Sequence, residues 1–110
     1  MKLITLTEAK EYLRVDSSDE DAVVGSLLMA AGNLCRDVAR LSDAQWADVD
    51  SEKSCSSLFS KKDLTSIRET VRVAVLYTLG YLYEHREEAD HHALTLTLRS
   101  LLFGIRERVV

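Results

Sequence analysis

Between Val71 and Tyr83 nearly every position is apolar, and this run limits what the chain can become. Leu64, Ile67, Val71, Ala74, Val75, Thr78 and Leu82 recur at helical spacing and define one stripe. Val73, Leu76, Tyr77, Leu79 and Tyr81 place further apolar side chains around the rest of the cylinder. A helix that is apolar all round is either buried on all sides or part of an interface. The spacing predicts a helix from residues 60–63 to about Glu88, nearly 40 Å long at about 1.5 Å per residue. That is the width of a small domain, so this helix is expected to be the backbone of the core.

The rest of the chain agrees with a helical frame. It has 110 residues, no proline and four glycines, which suits a few long helices joined by short links. The length accommodates one domain over residues 1–110, with a modest core. The expected fold is all-α, a small bundle of about four helices with a long buried third helix and an irregular 42–60 connection.

Thr5 and Glu8 have the spacing of a capping box, with Ile4 and Ala9 placed as a hydrophobic staple. The helix they start carries Leu6, Ala9 and Leu13 and should end near Arg14. Ser17 and Glu20 suggest a second capping box within the acidic run 16–21. That run lacks the glycine and distal glutamate of a calcium loop, so helix capping is the better reading. The second helix, from about Ser18 to Leu41, carries Val24, Leu27, Leu28, Ala31, Leu34, Cys35, Val38 and Leu41 on one face. Gly25 and Gly32 lie seven apart on it, where they would permit close approach by another helix or sit on its surface.

Residues 42–60 are the least regular. Asp43–Trp46 has the makings of a helical turn, and 51–57 is rich in serine. Trp46, Val49, Leu58 and Phe59 suggest segments that pack down or contact a neighbouring subunit. In the last segment Leu94, Leu96 and Leu98 alternate as in a strand. Leu94, Leu98, Leu101, Leu102 and Ile105 form a longer helical set, which favours helix.

The charge balance is acidic: 14 Lys and Arg against 18 Asp and Glu, net −4. Tight binding of nucleic acid needs clustered cations, and none stands out. Tyr77, Tyr81 and Tyr83 resemble a stacking platform, but only Arg72 and Arg86 flank them, so core or interface packing is preferred. No signal-peptide core follows Met1, and no uninterrupted apolar run approaches the ~20 residues that span a bilayer.

The motifs of chemistry are missing too. Cys35 and Cys55 are twenty apart, and His85, His91 and His92 lack the paired spacing of a zinc site. Cys35 falls on the apolar stripe, where a thiol packs rather than reacts. The sequence contains no phosphate-binding glycine loop, nucleophile elbow or dinucleotide turn. We therefore expect no catalytic residues, no metal, no cofactor and no enzyme activity.

Two stretches then become informative together. Residues 4–16, ITLTEAKEYLRVD, precede the acidic start of an Ala/Leu-rich helix, and residues 73–87 read VAVLYTLGYLYEHRE. With the closing phrase LFGIR at 102–106, they resemble the phage head–tail connector family, the gp6-like, "possible DNA packaging" proteins. Lys61-Lys62-Asp63 stands where that family often has proline, and the last four residues differ from its usual ending.

The resemblance implies a structural virion protein at the head–tail junction, made in the host bacterial cytoplasm. It would form a ring-shaped homo-oligomer between the portal protein and a tail-side connector or tail completion protein. DNA would be passing cargo, and no membrane would be involved. A closed ring needs two different patches on each subunit. Candidate interface residues are Trp46, Leu58, Phe59, Tyr77, Tyr81, Phe103, Arg106 and Arg108. The alternative is a small helical DNA-binding or regulatory protein associated with packaging, suggested by the arginines of the C-terminal segment.

Overall fold

The computed structural model describes residues 2–51, 59–85 and 92–109, with side chains described as far as Ile105. Five α-helices follow one another: α1 (Leu6–Leu13), α2 (Asp21–Ala39), α3 (Asp43–Val49), α4 (Lys61–Glu84) and α5 (His92–Val109). A single 3-10 turn, Ser18–Glu20, leads into α2. The all-helical bundle matches the expectation, with one more helix than about four because 43–49 is a helix in its own right.

Local chemistry explains most of the boundaries. Thr5 caps α1 by accepting from the amide of Glu8 at 3.2 Å, and the Glu8 carboxylate returns to the Thr5 amide. Ile4 and Ala9, the staple pair, are both fully buried. Leu6 lies on the exposed side of α1, so the core-facing stripe there is shorter than its apolar pattern suggests. α1 and α2 both end on a left-handed arginine, Arg14 and Arg40. In each case the next amide reaches back to the last turn, Val15 to Lys10 and Leu41 to Arg36, which satisfies carbonyls that would otherwise be orphaned.

The second capping box does not form. Ser17 caps the 3-10 turn through the amide of Asp19, but the Glu20 carboxylate accepts from the Tyr83 hydroxyl on α4 instead. A tertiary partner sixty-three residues away outcompetes the local one.

The 42–60 stretch is more ordered at its start than expected. Ser42 and Gln45 form a full capping box, and α3 runs to Val49, which is fully buried. Residues 52–58 lie outside the described residues, and the third predicted helix ends at Glu84 with His85 as its cap, short of the expected Glu88. α4 has 24 residues and begins at the Ser60 cap.

α2 is the centre of the bundle, packed against α1, α4 and α5, while α3 leans mainly on α4. Val24, Leu28, Ala31 and Cys35 of α2 face Leu64, Ile67, Val71, Ala74, Val75, Thr78 and Leu79 of α4 across a common core. Leu94, Leu98, Leu102 and Ile105 close it from α5, so the helical set of the last segment is the correct one. Ser18–Ala39 does have the length and mean hydropathy, 1.2, of a bilayer-crossing helix. One third of that apolar window, 33%, is buried, where the helix packs against α1, α4 and α5.

Arg72 ties the N-terminus to α4. Its guanidinium donates to the Leu3 carbonyl at 2.6 Å and to the Glu8 carboxylate at 2.7 Å. The Arg72 hydrogen bond is the main reason the Glu8 carboxyl is held below the ordinary glutamate range. A depressed folded-state pKa stabilises the fold above the ordinary value, and that contribution is lost as acid protonates the folded carboxylate. Glu8→Gln is therefore expected to lower stability at neutral pH and to leave a smaller loss on acidification. Urea unfolding at pH 7 and pH 3 measures both effects.

Candidate assembly surfaces

The bundle leaves several large apolar side chains outside its core, and they fall into distinct groups. On α5 the core positions Leu94, Leu98, Leu102 and Ile105 occupy one side. Leu96 and Phe103 project from the other, 49% and 57% exposed, with Arg99 between them. On α4 the residues opposite the core stripe include Val73 and Tyr77, 57% and 42% exposed. The apolar cylinder is thus covered on one side and open on the other.

The third group is concave. α3 stands away from part of α2 and leaves a groove of about 210 Å³, lined by Gly25, Leu28, Met29, Asn33, Trp46 and Asp50. Met29, 67% exposed, rises at its edge. Trp46 is half-buried and packs against the core from the α3 side. A β-carbon added at Gly25 would meet no atom within 4 Å, so this glycine marks open space and not a tight helix crossing. Gly32, by contrast, is buried.

The α3 wall of the groove is held by three sets of polar contacts. Asp50 Oδ1 accepts from the amides of Lys2 and Leu3 at 3.0 and 2.8 Å, which pins the N-terminal segment. Arg68 of α4 donates through Nε to the Val49 carbonyl at 3.2 Å and through Nη2 to the Asp48 carbonyl at 2.8 Å. At the start of α3, Asp43 pairs with Arg36 of α2.

The interface candidates named from sequence do not form one patch. Trp46 lines the groove, Tyr77 lies on α4 and Phe103 on α5. Phe59 and Tyr81 are half-buried against the core, and the Tyr81 ring stacks on His85 at 4.2 Å. Leu58 and the side chains of Arg106 and Arg108 lie outside the described residues. Tyr83, the third ring of the supposed stacking platform, is also half-buried and binds Glu20. Met29, Val73 and Leu96 are exposed apolar side chains that were not among those candidates. Met29 carried a usable signal, because it sits well off the core stripe of α2.

Reactive groups are few among the described residues. No group of three or more His, Cys, Asp or Glu side chains is placed to hold a metal there. Cys55 and His91 fall outside them. Cys35 is buried with its Sγ 3.5 Å from Thr78 Oγ1, and burial pushes its thiol pKa up to about 11. The Cys55→Ser chain is expected to show no reaction with a thiol reagent until it is unfolded. A folded chain that reacted within seconds would contradict this.

Among the described residues the geometry is that of a helical domain with several exposed apolar surfaces. No curated protein and no solved structure matches the chain. A family model described as "Phage gp6-like head-tail connector protein" matches residues 3–109, essentially end to end. The match spans the three phrases that carried the resemblance in the sequence, and the chain belongs to the phage gp6-like head–tail connector family.

Proposed function

We propose that this chain is a structural component of the phage head–tail junction that assembles as a ring, joins the portal to the tail side and lets DNA pass through the centre. The observation that carries the reading is the placement of exposed apolar side chains on different elements of a domain whose family joins heads to tails. A closed ring built from one chain requires two unlike patches per subunit. The α2–α3 groove and the outer face of α5 supply one concave and one convex candidate. The Val73–Tyr77 strip of α4 is a third surface, available to a portal or tail-side partner.

The acidic balance suits DNA as passing cargo. A net charge of −4 gives phosphates no general reason to adhere. Arg40 and Arg99 flank a small notch where α2 meets α5, but Asp37 shares it and offsets them. A packaging-associated DNA binder would instead show steep, salt-dependent affinity for duplex DNA.

Native mass measurement of the chain, alone and mixed with its cognate portal, tests the proposal. The expected result is a closed multimer, either free or seated on the portal. A chain that joins no portal assembly and forms no multimer of its own would sink it.

A further inference from the structure

We propose that the outer face of α5 in one copy seats in the α2–α3 groove of the next copy, making the head-to-tail contact of the ring. This rests on the ring reading above and names the surfaces that form it. Three observations converge on the pairing.

The first is placement. Val38 of α2 borders α5, where it lines the notch with Thr95 and Arg99. Met29 of α2 borders the groove with Trp46 of α3. These two α2 residues are nine apart, two and a half turns at 3.6 residues per turn, so they point to opposite flanks of one helix. Ridge and groove therefore cannot meet within a subunit. A contact between them is heterologous and repeats from copy to copy.

The second is spacing. Leu96 and Phe103 stand at i and i+7 on the side of α5 away from the core, with Arg99 at i+3 on the flank that borders α2. This is how a helix presents anchors to a groove. Leu28, Met29 and Trp46 offer the apolar floor and walls for such anchors.

The third is charge. Residues 92–105 contain no acidic side chain, and exposed Arg99 stands beside the apolar anchors, at the notch it shares with Asp37 and Arg40. α3 and its cap contain no basic side chain but carry Asp43, Asp48 and Asp50. Asp50 uses Oδ1 for the amides of Lys2 and Leu3 and faces the groove, which leaves Oδ2 as an acceptor for a guanidinium. An apolar ridge flanked by Arg99 thus meets an apolar groove edged by Asp50, of opposite sign.

The test uses two variants at exposed positions that leave the core intact. Met29→Lys blocks the groove and repels Arg99, while Phe103→Ser removes the central anchor. Each alone is expected to weaken self-association by at least about thirtyfold, as loss of an interface anchor does. Mixed in equal amounts they should form a one-to-one dimer and stop, because only one intact ridge and one intact groove remain. Trp46, the only tryptophan, reports the same event. Its emission should shift to the blue in the mixture and in neither variant alone. The samples are read by native mass measurement in solution, and on the portal if the unmodified chain assembles only there.

Rings persisting in either single variant, or a mixture that stays monomeric, overturn the pairing while the ring reading stands. An unmodified chain that forms no multimer in either setting overturns both. Circular dichroism at the working temperature confirms that each variant is folded.

Discussion

Leu98→Ala is expected to lower the unfolding free energy by about 3–5 kcal/mol, whereas Leu96→Ala changes it by less than about 0.5 kcal/mol. Leu98 is fully buried and Leu96 is half exposed, although the two are identical residues only two positions apart. Truncating Leu98 removes its transfer free energy and leaves a cavity where α5 closes on α2 and α4, because a packed core relaxes only partly. In a domain of this size the loss moves the thermal midpoint down by more than about 10 °C. A strand would give a different result. There, Leu94, Leu96 and Leu98 would share one face and the two truncations would cost alike. Thermal and urea unfolding of both variants separates the cases, and equal losses would contradict the helical assignment.

The same contrast shows where sequence reading works. Frame-setting features are local: the Thr5–Glu8 capping box, the core stripes of α2 and α4, and the longer helical set at the C-terminus. Each involves residues within a turn or two of one another, so its signal does not depend on distant partners. The second capping box failed because Glu20 has a tertiary alternative in Tyr83, and no local pattern announces a partner sixty-three residues away. α3 was underestimated for another reason. Seven residues are too few to display a helical period, although Ser42 and Gln45 spell out its start.

The exposed apolar side chains divide along the same line. Phe103 and Tyr77 were legible as aromatic residues beyond what a small core can absorb. Phe59 and Tyr81 looked the same in sequence but pack against the core, since burial is decided by which helix arrives opposite. The groove itself was illegible. It lies between α2 and α3, and the contacts that place α3 join residues far apart in the chain. Arg68 is the clearest of them.

Arg68→Ala is expected to destabilise the chain by about 2–3 kcal/mol, a large effect for a half-buried side chain remote from the apolar core. One guanidinium donates to two carbonyls at the end of α3, those of Asp48 and Val49, and to Ser51 Oγ at 3.0 Å. The last carbonyls of a helix have no partner within it; Ser51 reaches the Asp48 carbonyl through its amide and hydroxyl, at 3.3 and 2.7 Å, and Arg68 of α4 serves that of Val49. Removing the fork strips several charge-assisted hydrogen bonds at once and leaves the Val49 carbonyl to water. Arg68→Lys keeps the charge but not the planar fork, and it should recover less than half of the loss. The damage should also be local. Amide exchange ought to rise first in α3 and in Lys2 and Leu3, which hang on Asp50, while α2 and α5 stay protected. Trp46 then loses its fixed wall, so its emission should shift to the red before the bundle unfolds. A uniform loss of protection across all five helices would show instead that α3 is part of the global folding unit. With α3 loosened on an intact bundle, self-association should weaken even though no groove-lining residue has been changed, which makes Arg68 a positioning residue for that surface.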